Sequence, residues 1–231
     1  MRRYRHLFFD LDHTLWDFTT NSRATLAELF VHHGLAAQGV TDAASFIEVY
    51  EEVNHGLWQR YERGHLDKEV LRVLRFRNTL MHFGVRDGGL ADALGRDYLH
   101  HSPMKASLMP GTLQLLTDLR PLYALHIITN GFEEVQHVKL STSGIGSFFR
   151  TVITSEKAGA KKPDPRIFAF ALRHTDAAPE ECLMIGDNHG TDMAGARLAG
   201  WDHAHYTAAT APDPEATFRV GHLDDLRAIL L

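Results

Sequence analysis

The sequence predicts an α/β protein: a Rossmann-like parallel-sheet core with a helical cap domain inserted after the first strand. Two observations carry this. After Pro103, short apolar runs at residues 125–128, 151–154 and 183–185 alternate with helical patterns, the rhythm of parallel strands joined by crossover helices. Residues 7–9 form a similar apolar run far upstream, yet residues 16–102 show helical periodicity alone. The first strand therefore belongs with the second half of the chain. The predicted domains are 1–15 with 103–231 for the core and 16–102 for the cap.

Each element has its own signal. The run at 7–9 leads straight into Asp10 and reads as a buried strand. Asn21-Ser22 can cap a helix carrying Leu26, Leu29 and Phe30. Phe46, Tyr50, Val53, Leu57 and Tyr61 recur at three and four, a helix stripe that Gly64 ends. Leu71, Leu74 and Met81 mark another helix, and Leu90, Leu94 and Tyr98 a shorter one. Beyond Pro103, a helix with Leu113, Leu116 and Leu119 precedes the second strand. A helix from about Glu133 separates it from the third, one with Phe168 and Leu172 leads to the fourth, and one with Met193 and Ala196 follows.

Composition narrows the class of function. With 44% hydrophobic and 23% charged residues, the chain is neither disordered nor collagen-like. No apolar run approaches the ~20 residues of a membrane-spanning helix. The basic start, Met1 to His6, is followed by too short an apolar stretch for a signal peptide. The single cysteine, Cys182, excludes an internal disulfide framework and suits a reducing cytoplasm. A net charge of −5 gives no reason to expect a nucleic-acid partner. Among 16 histidines, the pairs His32-His33, His100-His101 and His203 with His205 suggest zinc at first sight. No cysteine or carboxylate stands at zinc-ligand spacing beside them, so they read as solvated or helix-surface side chains.

Ligands of open parallel sheets bind outside the carboxyl ends of the strands. The residues there are Asp10, Asp12 and Thr14, then Thr129-Asn130-Gly131, then Gly186-Asp187, with Lys162 beyond the third strand. Grouped carboxylates in one crevice repel unless a cation sits among them, and an all-oxygen donor set suits Mg²⁺. Thr129-Asn130-Gly131 at a strand-to-helix turn is an anion cradle. Lys162, chosen over Lys161 because Pro163 fixes the turn beside it, adds positive charge. Cradle, lysine and cation together describe phosphoryl recognition.

Asp10-Leu11-Asp12-His13-Thr14 resembles the first motif of the haloacid dehalogenase-like superfamily. Thr129-Asn130-Gly131 resembles its second motif and Lys162-Pro163-Asp164-Pro165 its third. Gly186-Asp187 with Asp192, Gly195-Ala196 and Ala199-Gly200 resembles its fourth. The motifs stand in family order. The resemblance implies that Asp10 is the nucleophile and forms an aspartyl-phosphate, and that Asp12 is the acid and then the base. It implies Mg²⁺ held by the Asp10 carboxylate, the Asp12 carbonyl and Asp187. Thr129 and Lys162 would hold the phosphoryl group, and Asp192 would support the metal shell or orient Lys162. Asp12 favours a phosphatase over a haloacid dehalogenase, since an alkoxide needs a proton to leave and a halide does not.

Within the superfamily, residues 54–64, Phe132, Gln136, Leu140 and Ser155-Glu156-Lys157 resemble the bacterial pyrimidine 5′-nucleotidase branch. That implies a small phosphate ester, a nucleoside monophosphate, as substrate. Trp58 and Tyr61, three apart on one helix, can stack a base, and the Asn54 amide can pair with a pyrimidine edge. They can equally pack inside the cap. Trp16 is a further candidate for the cleft wall. A phosphoglycolate or sugar-phosphate phosphatase keeps the same core with a different cap. A phosphomutase has no mark in the sequence, and a non-catalytic binding protein would have lost one of the carboxylates.

Overall fold

The computed structural model describes residues 3–207 and 213–231, so Met1 and Arg2 of the basic N-terminal run lie outside the described residues. The chain divides into two compact units, Met1–Phe18 with Ala106–Leu231, and Thr19–Lys105. Each boundary falls slightly beyond the one expected from sequence. Leu15 and Trp16 are fully buried in the first unit, and Trp16 bridges to Leu108.

The first unit is built on six strands: β1 (His6–Phe9), β2 (Ala124–Thr129), β3 (Thr151–Thr154), β4 (Cys182–Gly186), β5 (Asp202–Tyr206) and β6 (Phe218–Val220). Their order is β3-β2-β1-β4-β5-β6, and every pairing is parallel. The two central neighbours of β1 are in step, with Phe9 opposite both Ile127 and Ile185. β2 and β4 then run two residues and one residue past the end of β1. Strand residues alternate between two apolar layers, as a sheet covered on both faces requires. Leu7, Phe9, Leu125, Ile127, Leu183 and Ile185 face one layer, and Phe8, Ile128 and Met184 the other.

Strands β5 and β6 had no signal in the sequence. β5 reads Asp-His-Ala-His-Tyr, with no apolar run. His203 and His205 lie in it and are buried, so the expectation that they are solvated does not hold. His126 of β2 is buried as well, its ring stacked on Phe8 at 4.6 Å. Burial pushes its pKa down to about 3, with His6 and Arg150 adding to the shift. A neutral imidazole packs as an aromatic ring, which is why a strand interior accepts it.

The remaining helices of this unit are short. They are α5 (Thr112–Leu119), α6 (Glu133–Thr142), α7 (Ser155–Ala158), α8 (Pro165–Thr175), α9 (Ala194–Leu198) and α10 (Leu223–Leu230).

The second unit contains α1 (Phe18–His32, whose first residue belongs to the other unit), α2 (Ala43–Glu62), α3 (Lys68–His82) and α4 (Gly88–His101). Asn21 and Ser22 do not cap α1; they lie inside it and are buried. Ser22 Oγ instead meets the Tyr98 hydroxyl at 2.8 Å, a tertiary contact that overrides its capping preference. Asp42 caps α2 by accepting from the Ser45 N–H. The buried face of α2 runs Phe46, Tyr50, Asn54, Leu57, Tyr61, with Asn54 rather than Val53 completing the stripe. His32, His100 and His101 are exposed, and half-buried His33 meets Asp97 of α4 at 2.8 Å. No described helix is long and apolar enough to cross a membrane.

Candidate active site

Asp10 follows β1 directly, its N–H donating to the Ile185 carbonyl at 2.9 Å. The chain then turns sharply. His13 takes φ +61°, and the N–H groups of Leu15 and Trp16 both bond back to the Leu11 carbonyl at 2.9 Å. This turn places Thr14 so that its hydroxyl donates to Asp187 Oδ1 at 3.0 Å. Ligand atoms of Asp10, Asp187 and Asp192 all lie within 4.8 Å of one another.

Lys162 is buried among them. Its Nζ donates to Asp10 Oδ1 at 2.7 Å, Asp192 Oδ1 at 2.6 Å and the Ile128 carbonyl at 2.8 Å. An ammonium has three hydrogens, so all are engaged. Lys162 is therefore a charge beside the Asp10 carboxylate rather than a free donor. Burial disfavours its charge, but Asp10 and Asp192 more than offset this and hold its pKa above the ordinary lysine value. Asn130 fixes the approach: its amide donates to the Lys162 carbonyl at 3.0 Å and accepts from the Lys162 N–H at 2.8 Å. Asp192 Oδ2 accepts from the Asn188 N–H at 3.1 Å. Gly186 leaves the space Asp192 needs, since a Cβ there would stand 2.2 Å from Asp192 Oδ2.

The charge balance calls for a cation. Two buried carboxylates and a half-buried one surround one ammonium. Burial, with repulsion from Asp192, pushes Asp10 up to about 7 against the pull of Lys162. Burial and Asp10 push Asp187 up to about 7 as well, and Thr14 opposes the shift. Burial also raises Asp192. The donor set is all oxygen, and Asp187 Oδ2 is not the atom that Thr14 holds. These residues fit a hard divalent ion such as Mg²⁺.

Thr129 ends β2. Its Oγ1 accepts from the Gly131 N–H at 3.1 Å and from Gln136 Nε2 at 2.8 Å, leaving its own hydrogen to donate. Gly131 is required locally, because a Cβ there would lie 2.2 Å from Gln136 Nε2. Asp12 stands apart from the other carboxylates. Lys139 Nζ donates to its Oδ1 at 2.5 Å, and Gln136 Nε2 to its Oδ2 at 3.0 Å.

The fold thus brings Asp10, Asp12, Thr14, Thr129, Asn130, Gly131, Lys162, Asp187 and Asp192 to one edge of the sheet. Trp16 is a correction: it is fully buried and no cleft wall, and the Lys139 ammonium sits 4.3 Å from its ring centroid. In the helical unit Asn54 and Tyr61 are buried and Trp58 is half-buried. The Trp58 and Tyr61 rings meet edge to face at 5.3 Å. Asn54 Oδ1 has no hydrogen-bond partner there.

Two supports escaped the sequence reading. Lys139 on α6 looks like any helix lysine until the fold brings Asp12 to it. His205 accepts from the Asp213 N–H through Nδ1 at 2.9 Å, so Nε2 carries the proton and donates to the Asp187 carbonyl at 2.9 Å. A histidine in a polar strand carries no signal of that task.

The family model for haloacid dehalogenase-like hydrolases matches residues 4–200, and the chain belongs to that family. It is 31% identical to the HAD-hydrolase YfnB of Bacillus subtilis over 100% of this chain and 97% of that protein. A solved structure of YfnB bound to magnesium superposes with a TM-score of 0.90 at 27% identity, covering 99% of both chains. The pyrimidine 5′-nucleotidase YjjG of Escherichia coli is 31% identical over 97% of this chain and 96% of its own. A phosphoserine phosphatase of Thermus thermophilus is 32% identical over 97% of each.

Proposed function

We propose that this chain is a Mg²⁺-dependent phosphomonoester hydrolase that works through an aspartyl-phosphate, with pyrimidine nucleoside 5′-monophosphates as substrates. The observation that carries the reaction class is the pairing of two differently held aspartates. Asp10 lies against Lys162 in the buried carboxylate group, whereas Asp12 is held outside it by Lys139 and Gln136. In this reading one attacks and the other moves a proton.

In this reading an Asp10 carboxylate oxygen attacks phosphorus while the bond to the ester oxygen breaks. Asp12 gives its proton to that oxygen as it leaves. Water then attacks the phosphorus of the aspartyl-phosphate and gives a proton back to Asp12, releasing phosphate and restoring the Asp10 carboxylate. Splitting the displacement in two lowers each barrier. Asp10, the Asp12 carbonyl and Asp187 would hold Mg²⁺, which supplies charge neutralisation when one anion attacks another. The Lys162 charge adds to this, and the Thr129 hydroxyl donates to the phosphoryl oxygens.

The core would contact only the phosphoryl group and its ester oxygen, so substrate choice falls to the helical unit, where half-buried Trp58 rather than buried Asn54 or Tyr61 is the candidate to meet a base. The likeness to YjjG supports a pyrimidine nucleotide, and the equally strong likeness to a phosphoserine phosphatase marks the competing reading. A panel of nucleoside monophosphates, phosphoserine, phosphoglycolate and sugar phosphates tests this with Mg²⁺ present. Uridine and thymidine 5′-monophosphates should have the highest kcat/KM, with purine monophosphates slower because a two-ring base overfills the site. Faster cleavage of phosphoserine or phosphoglycolate than of any nucleotide would reject the nucleotidase reading while keeping the phosphatase.

A further inference from the structure

Helix α6 presents Gln136 and Lys139 at i and i+3, on one face. Both are buried, and both reach Asp12. A buried lysine is costly unless its charge is paired, and here the Asp12 carboxylate supplies the pairing. The Lys139 ammonium also lies 4.3 Å from the Trp16 ring centroid and 5.5 Å from that of Phe18, so the aromatic faces fix it from another side. Gln136 Nε2 bridges Asp12 Oδ2 and Thr129 Oγ1, and Gly131 leaves the room for it. One helix face thus ties the acid to the hydroxyl of the anion cradle.

We propose that Lys139 and Gln136 are positioning residues for proton transfer by Asp12, an assignment that rests on the phosphatase reading above. Asp12 lies beyond the end of β1, beside His13 at positive φ, where an isolated bridge to Trp16 replaces the strand ladder and leaves its side chain unfixed by the sheet. Two donors from a rigid helix fix both of its oxygens. Each carboxylate oxygen has two lone pairs, so one on each stays open to the transferring proton. Proton transfer needs a heavy-atom approach of roughly 2.6–3.2 Å. A displacement of about 1 Å can cost on the order of a hundredfold in rate.

The test uses the dependence on the leaving group. Through kcat/KM, which reports the steps up to departure of the ester oxygen, an alkyl phosphate needs the acid and a nitrophenyl phosphate hardly does. Lys139→Met should lower kcat/KM for an alkyl monoester by roughly tenfold or more, part of the ~10²–10⁴ that acid–base assistance supplies. The loss with nitrophenyl phosphate should be several-fold smaller. Lys139→Arg, which can still donate, should recover most of the activity. In an Asp12→Asn background, Lys139→Met should add no further loss. Gln136→Leu gives the same leaving-group contrast independently, should Lys139→Met unfold in a thermal melt. Equal losses with both leaving groups, or losses that multiply with Asp12→Asn, would mean that the pair only supports the fold and would overturn the assignment. A wild type that cleaves no phosphomonoester would overturn the phosphatase reading and this assignment together.

Discussion

The carboxylate edge of the core and the helical unit differ in how their buried charged groups are paired. Around Asp10, each charged side chain has partners: Lys162 engages all three hydrogens, Asp192 both oxygens, and Asp12 both oxygens. In the helical unit, Asn54 Oδ1 is buried with no protein partner, and the buried Arg75 guanidinium has an aromatic ring rather than a carboxylate beside it. That ring is Tyr98, at 4.7 Å. Leaving a group such as Asn54 Oδ1 unpaired costs about 1–3 kcal/mol. The difference teaches how the two units divide the task. A network of paired charges holds atoms still for one chemistry, whereas an unpaired group leaves a hydrogen bond still to be made.

The largest effect expected is at the centre of the paired network. Asp10→Asn keeps the size of the side chain and removes the attacking oxygen, so turnover should fall to background while the protein stays folded. Residual activity above roughly one per cent of wild type would contradict covalent catalysis, whose losses are far larger.

Metal and pH probe the same network more gently. The folded-state pKa values of Asp10 and Asp187 are raised to about 7 from 3.8. Between those values the metal-free folded state binds more protons than the unfolded chain, so stability falls as pH rises through that window and stays low above it. Mg²⁺ relieves the repulsion. At a hundredfold excess over its Kd it should stabilise by about 2.7 kcal/mol, roughly 5–10 °C in Tm for a protein of this size. The shift should be larger at pH 8 than at pH 5, where protons compete for the oxygens. Asp187→Ala should raise the metal-free Tm at pH 8 and nearly abolish the Mg²⁺ shift. Thermal melts with and without Mg²⁺ decide this, and equal shifts at both pH values would remove Asp187 from the ligand set.

The smallest effect belongs to the helical unit. Trp58→Ala should cost about 1–3 kcal/mol toward nucleotides, the usual worth of a stacked base, and spare nitrophenyl phosphate. Its half-buried ring is packed edge to face on Tyr61. Equal losses with both substrates would show that the ring serves packing alone, and the contrast between the two units would then rest on Asn54 and Arg75.

Much of this was legible before any coordinates. Asp10, Asp12, Thr129 and Asp187 stand at strand ends or in the turns directly beyond them, where local sequence fixes both element and polarity, and Lys162 and Asp192 carry motif signals of their own. The family order of the motifs and the insertion after the first strand are also local patterns. Contacts made across the chain were not legible. Asp12 and Lys139 are separated by 127 positions, and no spacing rule links them. The polar strand β5, the buried His126, His203 and His205, and the burial of Trp16 escaped for the same reason. A side chain's environment is set by what packs against it from elsewhere, and period-two or period-three patterns carry no record of that. The sequence alone singled out the groups proposed to do the chemistry. The tertiary structure decided which groups hold them in place, because holding depends on distance in space rather than along the chain.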